Sequence, residues 1–255
     1  MPDAEYGPHA EGAPCHWPAE WTRQAFVQLT WPDVGHLYNP QGVERQIVAT
    51  AACAAQYVPV RIAAAQPEAV REALRQADAP MTQVAVWPAQ ADDVWARDHA
   101  PFCVFDDSTA RLIDTRFNGW GGKYPHARDA ALAGQLYPAG FYGSAAYERV
   151  PWVLEGGAVD TDGCGTVLTS AACLLHPNRN GATTRAEVEA QLGALLGARR
   201  VLWLEHGALD GDDTDSHIDM LVRFVDPHTL AYTAGETPAL RAMAKELHGW
   251  RTCEG

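Results

Sequence analysis

The sequence has no Cys-x-x-Cys pair. Its six cysteines, Cys15, Cys53, Cys103, Cys164, Cys173 and Cys253, lie far apart, which argues against a zinc module built on paired thiols. Reduced thiols in a cytoplasmic protein are the expectation, and the five cysteines before Cys253 read as small buried hydrophobes. No segment reaches the ~18 apolar residues of a membrane span, and Met1 to Pro14 lacks the basic start and apolar core of a signal peptide. Basic residues are scarce: 19 Lys and Arg stand against 32 Asp and Glu, for a net charge of −13. A chain that tracks phosphates needs basic surface, so nucleic acid and anionic membranes are excluded as partners. A small cationic substrate is compatible. With 47% hydrophobic residues in 255, the chain is long and apolar enough to bury a sizeable core.

Residues 1–16, rich in Pro, Gly, Ala and Glu, read as a flexible leader, and order is expected from Trp17. Ala25 to Pro32 reads as a buried strand closed by its proline. Gly42 to Tyr57 places Val43, Ile47, Ala51 and Ala54 on one face of a helix, and Val58 to Ala63 is a strand. A second helix starts at Gln66-Pro67-Glu68 and runs to about Ala77, followed by the strand Val84 to Trp87. Val94 to Asp98, Pro101 to Phe105 and Arg111 to Phe117 read as a hairpin with a polar insertion. Asn118 to Tyr124 is too glycine-rich for regular structure: either backbone approaches something closely here or it is an ordinary turn. Val153 to Val159 reads as a strand interrupted by Gly156 and Gly157, with a turn at Asp160 to Gly163 and a return over Thr166 to Ser170. Thr184 to Leu196 is a helix opened by Thr and closed by Gly197, and Val201 to Glu205 is a strand. Thr229 to Tyr232 is a strand and Pro238 to Leu247 a helix. Strand pairs alternate with single helices and no linker is visible, which predicts one α/β domain of similar units over residues 17–255.

The densest chemistry lies in Gly211-Asp212-Asp213-Thr214-Asp215-Ser216-His217-Ile218-Asp219, where four carboxylates fall within eight residues. Carboxylates brought that close repel one another and need a cation or shared protons to relieve them. The stretch is therefore a site or a solvated loop. Alternation through Ile218, Met220, Val222 and Phe224 predicts a strand, with His217 and Asp219 together on its other face.

These pieces, taken in order, resemble the agmatine deiminase and bacterial-type peptidyl-arginine deiminase family of guanidino-group-modifying enzymes. The resemblance runs from Trp17 onward and is carried by Pro18-Ala19-Glu20-Trp21, Trp31-Pro32, Trp95-Ala96-Arg97-Asp98 with Pro101, and Phe117 to Tyr124. It continues through Leu154-Glu155-Gly156-Gly157, Leu168-Thr169, Cys173-Leu174-Leu175 with Asn178-Arg179-Asn180, and Gly211 to Asp219. It implies an α/β propeller, the pentein-like fold of five ββαβ-type units around a pseudo-fivefold axis with the site at its centre. It also implies hydrolysis of a guanidinium to a ureido group plus ammonia without a cofactor. For agmatine, the favoured substrate, the product is N-carbamoylputrescine on the way to putrescine and other polyamines. Peptidyl or free arginine is the alternative, and a homo-oligomer is left open.

By the same resemblance Asp98 and Asp219 grip the guanidinium, a forked planar cation suited to paired carboxylates. His217 takes the general acid/base position. Trp95 walls the substrate channel and stacks on the cation, while Asp213 and Glu155 are further substrate-binding acids. The family's nucleophile is a cysteine in a strand reading close to Gly-x-x-His-Cys, and this sequence contains no such motif. Cys253 follows a helix and lacks the glycines and histidine, so no cysteine of the chain is assigned as nucleophile. The reading is a family member lacking its C-terminal part, with the ring left open and the chain inactive by itself. Two other classes compete: a remnant that only binds guanidino compounds, and a hydrolase holding a divalent metal on His217, Asp219, Asp213 and Asp215.

Overall fold

The computed structural model describes residues 15–31 and 39–251, so Cys253, Pro32 and most of the expected leader lie outside the described residues. Two compact α/β units are formed. One comprises residues 23–100 and 125–144, the other residues up to 22, 101–124 and 145 onward.

The first unit is built on a parallel sheet in which β1 (Val27–Trp31) pairs with β2 (Val60–Ala64) and β2 with β3 (Val84–Pro88). Helices α1 (Pro40–Ala54) and α2 (Pro67–Gln76) make the two crossovers. Both helices carry proline in the first turn, where the missing N–H is not needed. Their apolar faces supply Ala51, Val70 and Leu74 to a core with Val60, Ile62, Ala64 and Val86. A parallel strand covered on both faces reads as continuous apolar sequence, and Val60 to Ala64 does so apart from Arg61. Arg61 stacks its guanidinium 4.1 Å above the Phe26 ring. The one-turn helix α3 (Ala96–His99) follows β3, within the region expected to be a hairpin with a polar insertion.

The second unit repeats one motif. The hairpin of β4 (Phe102–Asp106) and β5 (Thr109–Arg116) receives β6 (Ala146–Val153) in parallel on β5. The hairpin of β7 (Val159–Thr161) and β8 (Thr166–Ser170) receives β9 (Arg200–Leu204) in parallel on β8. Between β5 and β6 lie α4 (Gly119–Gly122), whose interior torsions are not helical, and α5 (Asp129–Leu136), which belongs to the other unit. Between β8 and β9 lie α6 (Ala171–Leu174), α7 (Pro177–Asn180) and α8 (Arg185–Leu196). Helix α8 is set by a capping box: Thr184 Oγ1 accepts from Glu187 N at 3.3 Å and Glu187 Oε2 accepts from Thr184 N at 2.7 Å. Gly197 ends it at φ 71°, where a Cβ would stand 2.0 Å from the Cys15 carbonyl oxygen. Cys15 is buried and His16 bridges to Phe105, so both residues belong to the fold although the sequence had placed them in the leader.

The acidic stretch runs into α9 (Ile218–Leu221) and only then into β10 (Val222–Asp226), which pairs with β11 (Thr229–Tyr232) before α10 (Pro238–Leu247). The expected strand from Ile218 is thus corrected to a helical turn. Ile218, Leu221 and Val222 are buried and Met220 is exposed, a spacing that alternation does not produce. The interruption expected at Gly156 and Gly157 is a 3-10 turn, Gly156–Ala158, and the residues on either side belong to separate strands, β6 and β7.

Candidate active site

The acidic stretch folds by using its own side chains. Asp212 accepts from Thr214 N at 2.9 Å, Thr214 Oγ1 at 2.5 Å and Ser216 N at 2.6 Å. Thr214 Oγ1 in turn accepts from His217 N at 3.1 Å. This local bonding is what short Asp and Thr side chains offer a turn. It holds Asp215 and Ser216 at φ 64° and 66°, uncommon values for residues with a Cβ. The chain emerges with His217 at the head of α9, buried, and Asp219 half-buried in the first turn.

The cations that the clustered carboxylates require come from elsewhere in the same unit. Arg179 on α7 donates from Nη1 to Asp215 Oδ2, from Nη2 to Thr214 O at 2.8 Å, and from Nε to Glu155 Oε1 at 3.0 Å. Lys123 Nζ donates to Asp215 Oδ1 at 2.7 Å and to Asp213 O at 2.6 Å. Burial alone would raise the Asp215 carboxyl, but Lys123 and Arg179 outweigh it and hold the group below its ordinary range. Asp212 is lowered too: its donors on Thr214 and Ser216, with His217 nearby, overcome the burial. Glu155 goes the other way, because complete burial outweighs the opposing Arg179. The Arg179 and Glu155 side chains are both fully buried, so each is the charge that makes the other tolerable there.

The neighbouring residues fix Arg179 in place. Asn118 Nδ2 donates to Asn178 O at 2.8 Å, and Asn180 exchanges two 2.9 Å bonds with the Val153 backbone. Gly119, Trp120, Gly121 and Gly122 all have positive φ. At Gly121 a Cβ would meet Asn178 Cβ at 3.1 Å and Arg179 Nη1 at 3.3 Å, so the glycine loop admits close approach to α7. Tyr124 at the end of that loop donates to Asp213 Oδ2. Ser170 Oγ donates to Ser216 O at 2.6 Å and accepts from Cys173 N at 3.2 Å.

Of the residues expected from sequence, the structure therefore brings Glu155 and His217 together and adds Cys173. One carboxylate oxygen, the Sγ and one ring nitrogen lie within 4.8 Å of one another, all buried. Glu155 faces Arg179 and is sealed from solvent, while Asp213 is exposed. Asp98 and Trp95 belong to the other unit, Asp98 buried on α3 and Trp95 exposed at its start. Within the expected metal set of His217, Asp219, Asp213 and Asp215, both Asp215 oxygens accept from cations, Oδ2 from Arg179 and Oδ1 from Lys123. The cysteines divide: Cys15 and Cys173 are buried, Cys103 is intermediate, and Cys53 and Cys164 are exposed, correcting the expectation that all five are interior. Arg179, Lys123, Cys173 and Asp215 carry more of this arrangement than their sequence context suggested. The available sequence signal at Arg179 was its place in Asn178-Arg179-Asn180.

The chain matches the Porphyromonas-type peptidyl-arginine deiminase family over residues 16–255. It belongs to that family. Agmatine deiminase of Pseudomonas putida strain KT2440 is 36% identical over 228 residues, covering 86% of this chain and 60% of the relative. That of Ectopseudomonas mendocina is 33% identical, covering 97% of this chain and 69% of the relative. Among solved structures, a Cys-to-Ser variant of C. jejuni agmatine deiminase with substrate bound superposes with a TM-score of 0.85 at 27% identity, covering 95% of this chain and 73% of that one. Agmatine deiminase of Enterococcus faecalis gives a TM-score of 0.84 at 27% identity, covering 95% and 68%. The family's mixed α/β fold thus extends over 95% of the chain. The chain spans about 60% of the length of several of the curated relatives it matches. No described helix is long and apolar enough to cross a membrane.

Proposed function

We propose that this chain carries the guanidinium-binding and acid/base groups of an agmatine deiminase-type hydrolase, on an α/β propeller scaffold. The observation that carries the reading is His217, buried at the head of α9 beside the Glu155 carboxylate, in a chain of this family. Asp98 and Asp219 bind the guanidinium, Trp95 stacks on it, and Asp213 meets the remainder of the substrate. A cysteine thiolate attacks the guanidinium carbon, the C–N bond breaks, and His217 gives the departing ammonia its proton. His217 then takes a proton from water, which attacks the same carbon. The C–S bond breaks and the ureido product leaves. No residue of these 255 is assigned as that thiolate, so the chain by itself binds guanidino compounds without turning them over. Agmatine is favoured because a dication suits a chain of net charge −13. Arginine, free or in a peptide, is the second reading, favoured by the family's match to peptidyl-arginine deiminases.

Calorimetry with agmatine and with arginine tests the binding half, and ammonia release tests the chemical half. The expected result is measurable agmatine binding, weakened at least about tenfold in Asp219→Asn, with no release above background. Equal binding by wild type and Asp219→Asn removes Asp219 from the site. Sustained release would show that a thiol within the chain serves as nucleophile.

A further inference from the structure

We propose that Glu155, Cys173 and His217 form a binding site for one zinc ion. The ligands would be one Glu155 carboxylate oxygen, the Cys173 Sγ and one His217 ring nitrogen, which already lie within 4.8 Å of one another. Oxygen, sulfur and nitrogen in one set suit zinc, which accepts all three and binds tetrahedrally; calcium and magnesium prefer oxygen alone. A three-ligand set leaves one position for water.

The placement of the ligands is built into the fold. Cys173 sits on α6 and His217 heads α9, and the Ser170 hydroxyl ties the two segments by accepting from Cys173 N at 3.2 Å and donating to Ser216 O at 2.6 Å. Glu155 is held by Arg179 Nε, 3.0 Å from Oε1 and 3.4 Å from Oε2. A cation on an outer lone pair of a ligating carboxylate orients it in the way that second-layer partners do at metal sites. Charge also balances. Zinc binding releases the Cys173 proton to solvent, and the dication with one thiolate and one carboxylate is neutral in the interior. Arg179 keeps Asp215 as its own counter-ion.

Under the function proposed above, a zinc-bound His217 nitrogen could neither give nor take a proton, so zinc would block the acid/base role assigned to that nitrogen. That consequence rests on the functional reading. The binding itself does not.

The test uses the purified untagged 255-residue chain, stripped by chelator and titrated with Co²⁺ and then Zn²⁺. The expected result is one Co²⁺ per chain with a thiolate-to-cobalt charge-transfer band, bleached by one equivalent of Zn²⁺. The band should survive replacement of Cys53, Cys164 and Cys253 together by Ser and vanish in Cys173→Ser. His217→Ala, which leaves the thiol in place, should weaken Zn²⁺ binding at least about a hundredfold. The wild-type titration alone is decisive against the proposal if no such band appears, whatever the variants do. A band that persists in a folded Cys173→Ser chain, or an unchanged affinity in His217→Ala, also overturns it. Failure of agmatine to bind would refute the functional reading and leave this site untouched.

Discussion

Arg179→Met tests whether one buried cation organises the acidic loop. The substitution keeps much of the side-chain volume and removes a guanidinium that serves Glu155, Asp215 and the Thr214 carbonyl together. Removing one partner from a fully buried ion pair costs about 3–5 kcal/mol, because the remaining charge is left without compensation. Lys123 still reaches Asp215, so most of the penalty falls on Glu155, which has no exposure to solvent. For a chain of this size that loss corresponds to roughly 10 °C in melting midpoint. Urea titration followed by tryptophan fluorescence measures it. Two further outcomes are specific to the reasoning. The deficit should shrink as pH falls, because burial already raises the Glu155 carboxyl and loss of Arg179 raises it further, so protonation relieves the isolated charge. It should also shrink when Glu155→Gln is added, giving a favourable coupling in the double-mutant cycle. A single variant within about 1 kcal/mol of wild type, or a double variant whose losses simply add, would refute the account.

Asp129 offers a separate pH test in the other unit. Its Oδ1 accepts from Asp92 N at 2.8 Å, its Oδ2 has no hydrogen-bond partner among the described residues, and burial pushes the carboxyl up to about 6 despite the Asp92 and Asp93 N–H groups. A carboxyl raised in the folded state keeps its proton where the unfolded chain has lost it, so its contribution is full below about 4 and is lost as pH rises through about 6. Asp129→Asn should remove that decline and be the more stable protein at pH 7 by about 2 kcal/mol; melting curves at several pH values would contradict this if the two proteins stayed parallel. Gly197→Ala should cost more than the usual ~1 kcal/mol of a glycine in left-handed geometry, because its Cβ would also strike the Cys15 carbonyl, and equilibrium unfolding of an equally stable variant would count against the assigned close contact. Asp215→Asn should destabilise by about 1–3 kcal/mol and exposed Asp213→Asn by less than about 0.5 kcal/mol. The Asp215 effect should fade as pH falls, since its carboxyl is lowered in the folded state and its advantage is lost on protonation. Equal effects of the two substitutions, measured by urea unfolding, would show that Arg179 does not distinguish them.

The elements most legible in the sequence were those whose ends carry their own signals. Thr184, Glu187 and Gly197 bracket α8, and Pro238 opens α10 at the position expected. The segment 125–152 was silent because its structure is not amphipathic by itself. Strand β6 exposes most of Ala146 to Val150 and is held by pairing to β5, with Arg111 to Glu148 at 2.7 Å and Tyr147 to Asp114 across the strands. Helix α5 is short and rich in Ala and Gly. Neither pattern has a period to detect.

The acidic stretch departs from its sequence pattern for a different reason. Alternation from Ile218 to Phe224 predicts a strand, and the strand that forms, β10, begins only at Val222. The four preceding residues form a helical turn that carries Asp219 away from the side a strand would give it. Charge density calls for cations or shared protons, but it does not say which acids are neutralised. Asp212 is consumed by the loop's own backbone, Asp215 by Arg179 and Lys123, and Asp213 meets Tyr124. Two of the four acids therefore hold the loop in shape. A substitution at either acts on His217 through the position of the chain before it acts on any ligand. Separating binding roles from positioning roles in this loop thus requires stability and binding to be measured on the same variants.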